Sequence, residues 1–337
     1  MKYLLIILVS ILLAAFICEY RGDRWEEYVR TTLYAIRKDS IPNYAKTIVD
    51  EKGIPYVHYA AGKNTIAVDE YNPTIVSNYA IDYFEQLHHH PDSAVRNKLV
   101  NCADWLLNHI SYRNGYALYQ FDWKQPFYDS VGVPWTSGMT SGRAMEAFAD
   151  AYSIVPSARY KEAGDALLRG FYQSIDSGGF TYKENTGWWF EEYADSSLHT
   201  PRILDGHIFA LLGVWKYNQL TKQESAEFIV QQGIKALKYH LPSYDMGNGW
   251  SYYDAYQKPT DKKYHQLLTG LMKELYDSTH DPIFNSYYAK WNTPLSKPYL
   301  YRIIKERNRS GLILFMGVVV MLFVLMSILK KIIFKRR

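Results

Sequence analysis

Two adjacent carboxylates, Glu191 and Glu192, lie inside the run GWWFEEYADSS (187–197) beside Trp188, Trp189, Phe190 and Tyr193. An acid packed against that much aromatic surface loses part of its hydration, which raises its pKa and strengthens it as a base once ionised. A tyrosine, with an ordinary pKa near 10, is a proton donor at neutral pH. The combination suits general acid–base work. Alternation along a strand points the two glutamates to opposite faces. One reading therefore leaves one acid solvated and the other paired with an arginine.

The run is one of four segments of the same character. Gly53 opens GIPYVHYAAGKNTIAVDEY, Gly115 opens GYALYQFDWKQPFYDSVGVPW, Gly178 opens GGFTYKENTGWWFEEY and Gly247 opens GNGWSYYDAYQKP. Each is rich in tyrosine and tryptophan and alternates like short hairpin strands. The chain holds 31 tyrosines in 337 residues, and tyrosine suits a wetted surface. Sugar rings have apolar C–H faces and hydroxyl edges, so platforms such as Trp135, Trp189 and Tyr252 fit a carbohydrate. Simple capping of a hydrophobic core is the other use of such loops.

Helical periodicity fills the intervals. Ile75, Tyr79, Tyr83 and Leu87 recur at steps of four, as do Val95 and Leu99, followed by Cys102, Leu106 and Ile110. The pattern predicts further helices near 138–154, 159–175, 203–219, 222–240, 263–277 and 282–291, with an earlier one near 23–38 as an outer brace. Aromatic loop, helix, helix, four times over, predicts an all-α-dominated fold. Helical hairpins in series form an incomplete toroid, with short β-hairpin loops gathered at one end.

The two ends are apolar. Ser310–Leu329 carries no charge and is about long enough to cross a bilayer core, at roughly 1.5 Å per residue. The basic tail KKIIFKRR behind it favours a cytoplasmic C-terminus. Tyr3–Cys18 is a shorter uncharged run that reads equally as a signal peptide or an anchor. The expected layout is a leader or anchor over 1–18, an extracytoplasmic body over 19–305, a transmembrane helix over 310–329 and a cytoplasmic tail over 330–337.

Charge points to no polyanion. The formal charge is +4, and without Lys2 and the five basic residues after Leu329 it becomes −2. That leaves no basic stripe of the kind nucleic acid requires. Two cysteines, Cys18 and Cys102, build no disulfide framework. Three successive histidines, His88–His90, point about 100° apart on a helix and do not converge on a metal ion as i, i+4 ligands do. DMGNG lacks the alternating ligands of a calcium loop, and the glycosylation pattern at Asn308 abuts the apolar span. No metal and no cofactor are expected, and a homodimer is compatible with the chain.

Several motifs, in order, resemble the D-glucuronyl 5-epimerases, which convert glucuronate to iduronate in heparan-type polysaccharides. PWTSGMTSGRAMEAFADAY (134–152) resembles the family's W-x-S-x-M-x-x-G-x-A entry to a helix, and GWWFEEYADSS resembles W-Y-E-E-Y-P. RILDGHIFALLGVWKY resembles V-L-N-G-F-x-Y-S-L-x-G-L-Y. GIKALKYHLPSYDMGNGWSYYD resembles a segment ending L-P-x-Y-D-x-G-x-G-x-x-Y-D, and DPIFNSYYAKW resembles the closing P-x-F…W. These cover about 103–291.

The resemblance implies a helical (α/α) barrel and a cleft for a uronate polymer, with Glu192, Tyr193, Tyr253 and Tyr264 as the residues facing the sugar. Epimerisation at carbon 5 needs acid/base groups on both faces of the ring. Glu192 and Tyr264 are assigned to those faces, with Tyr253 and Tyr193 binding the carboxylate or relaying protons. The chain also departs from the pattern. Its last aromatic loop is shorter, Tyr256 stands where an arginine is expected, and Asp205 replaces the asparagine of L-N-G. Lys258, Lys262 and Lys263 are the candidate replacement cations, and Arg202, new beside Asp205 together with His207, is a further candidate substrate contact. A polysaccharide lyase that begins with the same proton abstraction, or a non-catalytic glycan-binding protein on the same barrel, are the competing functions.

Overall fold

Side-chain caps set where the helices begin. Asn72 Oδ1 accepts from the Thr74 N–H at 2.9 Å and Asp92 Oδ1 from Ala94 at 2.7 Å. Ser137 Oγ accepts from Thr140 at 3.1 Å and Asp261 Oδ1 from Tyr264 at 2.9 Å. Each satisfies an amide that the first turn leaves without a partner. A computed structural model describes residues 2–37, 46–59, 68–125, 127–196, 200–305 and 308–335. Outside it fall part of the first aromatic loop, Ser197 of the 187–197 run and the end of the basic tail. The chain divides into two units, 43–291 and the joined termini 1–42 and 292–337.

The larger unit follows the four-fold pattern. Strands β1 (Lys46–Val49), β2 (Pro55–Tyr59) and β3 (Val68–Glu70) precede helices α2 (Pro73–His89) and α3 (Ser93–Asn108), α1 (Lys2–Arg37) belonging to the other unit. Short pairs β4 (Ser111–Arg113) with β5 (Tyr116–Leu118), and β6 (Gln120–Phe121) with β7 (Trp135–Thr136), lead into α4 (Gly138–Ile154) and α5 (Ala158–Gly170). The hairpin β8 (Thr181–Glu184) and β9 (Gly187–Phe190) leads into α6 (Leu204–Thr221) and α7 (Glu224–His240). The last loop has only isolated bridges, Asp245 to Ser251 and Tyr252 to Pro259, before α8 (Lys262–Thr279) and α9 (Pro282–Leu295).

Helix α4 packs between α2 and α6, and α6 also meets α8, while α3, α5 and α7 pack on the outside of their partners. The tightest crossing is α4 on α6. A Cβ on Gly213 would stand 2.1 Å from the Gly142 carbonyl oxygen, so only glycine permits that approach. Helix α5 ends five residues before the periodicity suggests. A Cβ on Gly170 would meet the Ala117 oxygen at 2.3 Å, and the chain turns there into a short 3₁₀ turn, Ile175–Ser177. Every aromatic loop runs into the N-terminus of an inner helix, which gathers the loops at one end. Neighbouring loops bond to one another there, through Thr136 with Ala194 and Pro201 with Ala255.

In the smaller unit, α1 runs unbroken from Lys2 to Arg37, so the brace expected near 23–38 continues the apolar segment. Helix α10 (Tyr299–Lys305) packs on α1, and α11 (Arg309–Lys335) packs along it. Acids of α1 meet the start of the C-terminal segment. The Tyr299 N–H donates to Glu19 at 2.6 Å, Arg302 pairs with Asp23 at 3.0 Å, and Asn308 donates to Glu26 at 2.7 Å. By length and composition, Tyr3–Glu26 and Arg309–Lys331 are each apolar enough to cross a membrane.

Candidate active site

The segment that follows β9 is held from both sides. The Glu191 N–H donates to the Phe180 carbonyl, the Glu191 carbonyl accepts from Gly138 at the start of α4, and Ala194 exchanges two hydrogen bonds with Thr136. Underneath, the His207 ring locks β9. Its Nδ1 accepts from the Phe190 N–H at 3.0 Å, and its Nε2–H donates to the Gly233 carbonyl at 3.1 Å. Burial lowers the His207 pKa to about 3, so the ring stays neutral. These contacts fix the phase of the acidic pair.

Glu191 then points back into the structure and Glu192 into a pocket. Glu191 is 0% exposed; its Oε1 accepts from the Thr200 hydroxyl at 2.7 Å and its Oε2 from the Arg202 N–H at 3.2 Å. The Glu192 carboxyl enters a cavity of about 290 Å³ shared with Phe127, Tyr128, Tyr193, Tyr253, Lys258 and Tyr264. All four residues expected to face the sugar line this one space.

The electrostatics of the cavity are unusual. Glu192 Oε2 is buried and has no hydrogen-bond partner among the described residues. Burial, then the neighbouring Asp205 charge, lift its pKa well above the carboxylate range, against a hydrogen bond from Tyr193. Burial also keeps Tyr193 and Tyr253 protonated, with the Glu192 charge as the next cause. Tyr264, 37% exposed at the start of α8, is pushed up to about 12 by burial and by Asp205, Glu192 and Asp261, opposed by a hydrogen bond with Tyr253. The Tyr253 and Tyr264 rings meet edge to face at 4.9 Å, and Lys258 Nζ lies 5.8 Å from the Tyr253 ring centre.

The other expected contacts lie elsewhere. Trp189 was expected on the sugar surface but is fully buried, stacked on His207 at 4.1 Å and parallel to Tyr244 at 5.8 Å. Trp135 is a buried buttress: it stacks on Phe121 at 3.8 Å and meets the Tyr193 ring at 5.0 Å. Arg202, expected as a substrate cation, instead pairs with Glu184 at 2.6 Å and lies over the Tyr182 ring. Tyr252 and Lys262 do not line the cavity, and Lys263 lies outside it, with Nζ 6.0 Å from the Tyr264 ring centre.

Sequence reading missed Tyr128, whose hydroxyl donates to the buried Asp254 at 2.6 Å, and named Asp205, which is 4% exposed, only as a departure from the L-N-G motif. Tyr128 lay in a flagged aromatic loop, but no spacing singled it out. Among the described residues, no group of histidine, cysteine or carboxylate side chains could hold a metal ion.

The family profile for the D-glucuronyl C5-epimerase C-terminus matches residues 113–293, more than half of the chain. The chain belongs to this family. Over 171 residues it is 26% identical to the D-glucuronyl C5-epimerase of Caenorhabditis elegans, a match over 44% of this chain and 26% of that protein. Over 198 residues it is 29% identical to an uncharacterized protein of Methanocaldococcus jannaschii, covering 57% of this chain and 63% of that one. The chain thus matches less than two thirds of the length of either curated relative. Among solved structures it is similar to cellobiose 2-epimerase from Bacillus thermoamylovorans, with a TM-score of 0.52 at 12% identity, over 86% of this chain and 75% of that one. It is also similar to a family 76 α-mannanase from Bacteroides thetaiotaomicron, with a TM-score of 0.50 at 15% identity, over 86% and 74%. At such identities the likeness is one of fold, and that fold is the (α/α) barrel. Within the epimerase-family segment, 113–293, lie β9, the acidic pair and all four pocket residues expected from sequence.

Proposed function

We propose that the protein is a uronate epimerase that inverts carbon 5 of D-glucuronate within a polysaccharide. The observation that carries this reading is the meeting of Glu192, Tyr193, Tyr253 and Tyr264 in one cavity of a chain from the epimerase family. The C5 hydrogen is α to the sugar carboxylate, so its removal throws negative charge onto the carboxylate oxygens. Glu192, as carboxylate, takes the proton and becomes the neutral carboxyl that its buried setting favours. Tyr264 gives its phenolic proton to the opposite face of C5, which completes the inversion. The tyrosinate left behind regains a proton through Tyr253 or from water. Tyr253 and Lys258 supply a hydrogen bond and positive charge for the substrate carboxylate.

A polymer substrate gains support from a second cavity of about 210 Å³, lined by Arg113, Gln120 and Asp195, which begins one residue beyond Tyr193 at Ala194. A flanking sugar has room there. The test is incubation of the full-length protein with a glucuronate polymer in deuterated water. Deuterium at C5 without chain cleavage is the expected result. An unsaturated, ultraviolet-absorbing chain end indicates a lyase instead, and binding with neither signal indicates a glycan-binding protein.

We also read α11 as a membrane span with its basic tail in the cytoplasm and the barrel on the other side. The contacts of Glu19, Asp23 and Glu26 with Tyr299, Arg302 and Asn308 favour keeping the N-terminal helix as a second anchor over its removal. A tag placed after Arg337 should resist external protease in intact cells, and its digestion would reverse the orientation.

A further inference from the structure

Asp205 takes no part in the scheme above, yet it stands next to the glycine on which the base packs. It lies in the first turn of α6 immediately before Gly206. A Cβ on Gly206 would stand 2.6 Å from both Glu192 Cβ and Glu192 Oε2, so the absence of a side chain there is what admits the Glu192 carboxyl to the start of α6. Glu192 Oε2 and Asp205 Oδ1 are both buried, and neither has a hydrogen-bond partner among the described residues. Asp205 is only 4% exposed. Two ionised carboxylates, each with a buried oxygen that lacks a donor, are costly in such a place, and one proton between them removes most of that cost.

We infer that Asp205 and Glu192 act as a proton-sharing pair, with Gly206 as the gap that lets them meet. The inference deepens the epimerase reading and rests on it for its kinetic consequence. The surrounding groups agree. Around the two acids stand Tyr128, whose hydroxyl donates to Asp254, and Tyr193, Tyr253 and Tyr264, with Glu191 adjoining in the same segment. The nearby cations are Lys258 in the cavity wall and Lys262 and Lys263 in the first turn of α8. Burial raises Asp205 to about 7 against hydrogen bonds from its own N–H and that of Gly206, and burial with the Asp205 charge lifts Glu192 well above the carboxylate range. Between its two titrations such a pair carries one proton and one negative charge, and it titrates as a unit.

Such a pair is both base and acid on one face of the sugar. It takes the C5 proton of glucuronate, becoming doubly protonated, and in the reverse direction returns a proton to C5. Asp205 acts through Glu192 and is a positioning residue. An asparagine, as in the L-N-G motif of the resembled family, cannot share a proton in this way.

Infrared difference titration of the full-length protein without substrate reads the pair directly. In the wild type, a protonated-carboxyl band should persist well above the ordinary carboxylate range and titrate near neutrality. Asp205→Asn should move the titration of Glu192 down by about one pH unit or more, at least tenfold in proton affinity. Glu192→Gln keeps the volume and reads the same coupling from the other side, replacing the two-step carboxyl titration of the pair by a single step on Asp205. In the deuterium assay, the acid limb of the pH–rate profile of Asp205→Asn should move down by the same amount, with KM changed less than about twofold. An unmoved carboxyl titration in both variants overturns the inference. A shifted titration in a protein that never exchanges C5 hydrogen would leave the pair standing and defeat the epimerase reading alone.

Discussion

Glu191 and Glu192 are neighbours in sequence and opposites in structure. Behind the strand, Glu191 sits in a cluster where each carboxyl oxygen has a donor, from Thr200 and Arg202. Next to it, Glu184 accepts from both Arg202 and His240; burial alone would raise its pKa, and these partners bring it below the usual value. Arg202 pays for this position with a left-handed backbone, φ 47°, which Tyr244 steadies by donating its hydroxyl to the Arg202 carbonyl at 2.6 Å. In front of the strand, Glu192 has an oxygen with no donor and a second acid beside it. Burial alone does not separate the two glutamates. The difference is whether their lone pairs are already satisfied, and only the unsatisfied acid is available to a substrate.

The contrast breaks most visibly at the pocket. Glu192→Gln and Tyr264→Phe should each lower turnover by about 10²- to 10⁴-fold in the deuterium assay, because each removes a proton-transfer group while keeping its shape. The melting temperature of Glu192→Gln should hold or rise, since a buried acid with one oxygen lacking a donor is replaced by a neutral amide. Full turnover in both variants would place the chemistry elsewhere.

A smaller kinetic loss is expected beside them. Tyr253→Phe should cost about 1.5 kcal/mol, roughly tenfold in kcat/KM, with binding weakened as well, because its proposed partner is charged before the reaction begins. A change confined to kcat would move Tyr253 from carboxylate binding to proton relay.

Behind the strand, the loss should be one of stability. Arg202→Lys gives up the fork on Glu184 and should lower unfolding stability by about 2 kcal/mol with KM unchanged, measured by denaturant unfolding and steady-state kinetics. A raised KM at unchanged stability would return Arg202 to the substrate.

The smallest effect belongs to Glu191→Gln, with turnover within a few-fold of wild type. Burial raises Glu191 to about 8, so the folded protein binds its proton more tightly than the unfolded chain does. Its contribution to stability is complete below the ordinary carboxyl pKa and is lost as pH rises through about 8. The wild-type melting temperature should therefore fall across that window, and Glu191→Gln should flatten the fall. A dead Glu191→Gln beside an active Glu192→Gln would mean that the strand phase is reversed.

Much of this was legible in the residues themselves. Apolar steps of four place the helices, because that pattern acts within a few residues of chain. The four glycine-led aromatic loops are visible for the same local reason. Glu192, Tyr193, Tyr253 and Tyr264 could be named because they sit in ordered motifs that resemble a family. Trp189, Trp135 and Arg202 were misplaced because an aromatic ring or a cation looks the same in sequence whether it meets a sugar or the core. Tertiary structure alone decided that His207 would pin β9, so that Glu191 turned inward and Glu192 outward. It alone brought the start of α6, where Asp205 precedes Gly206, against Glu192 from another part of the chain. Sequence determines which groups are able to hold a proton, whereas strand phase and the supply of donors, both set by distant contacts, determine which one is left free to move it.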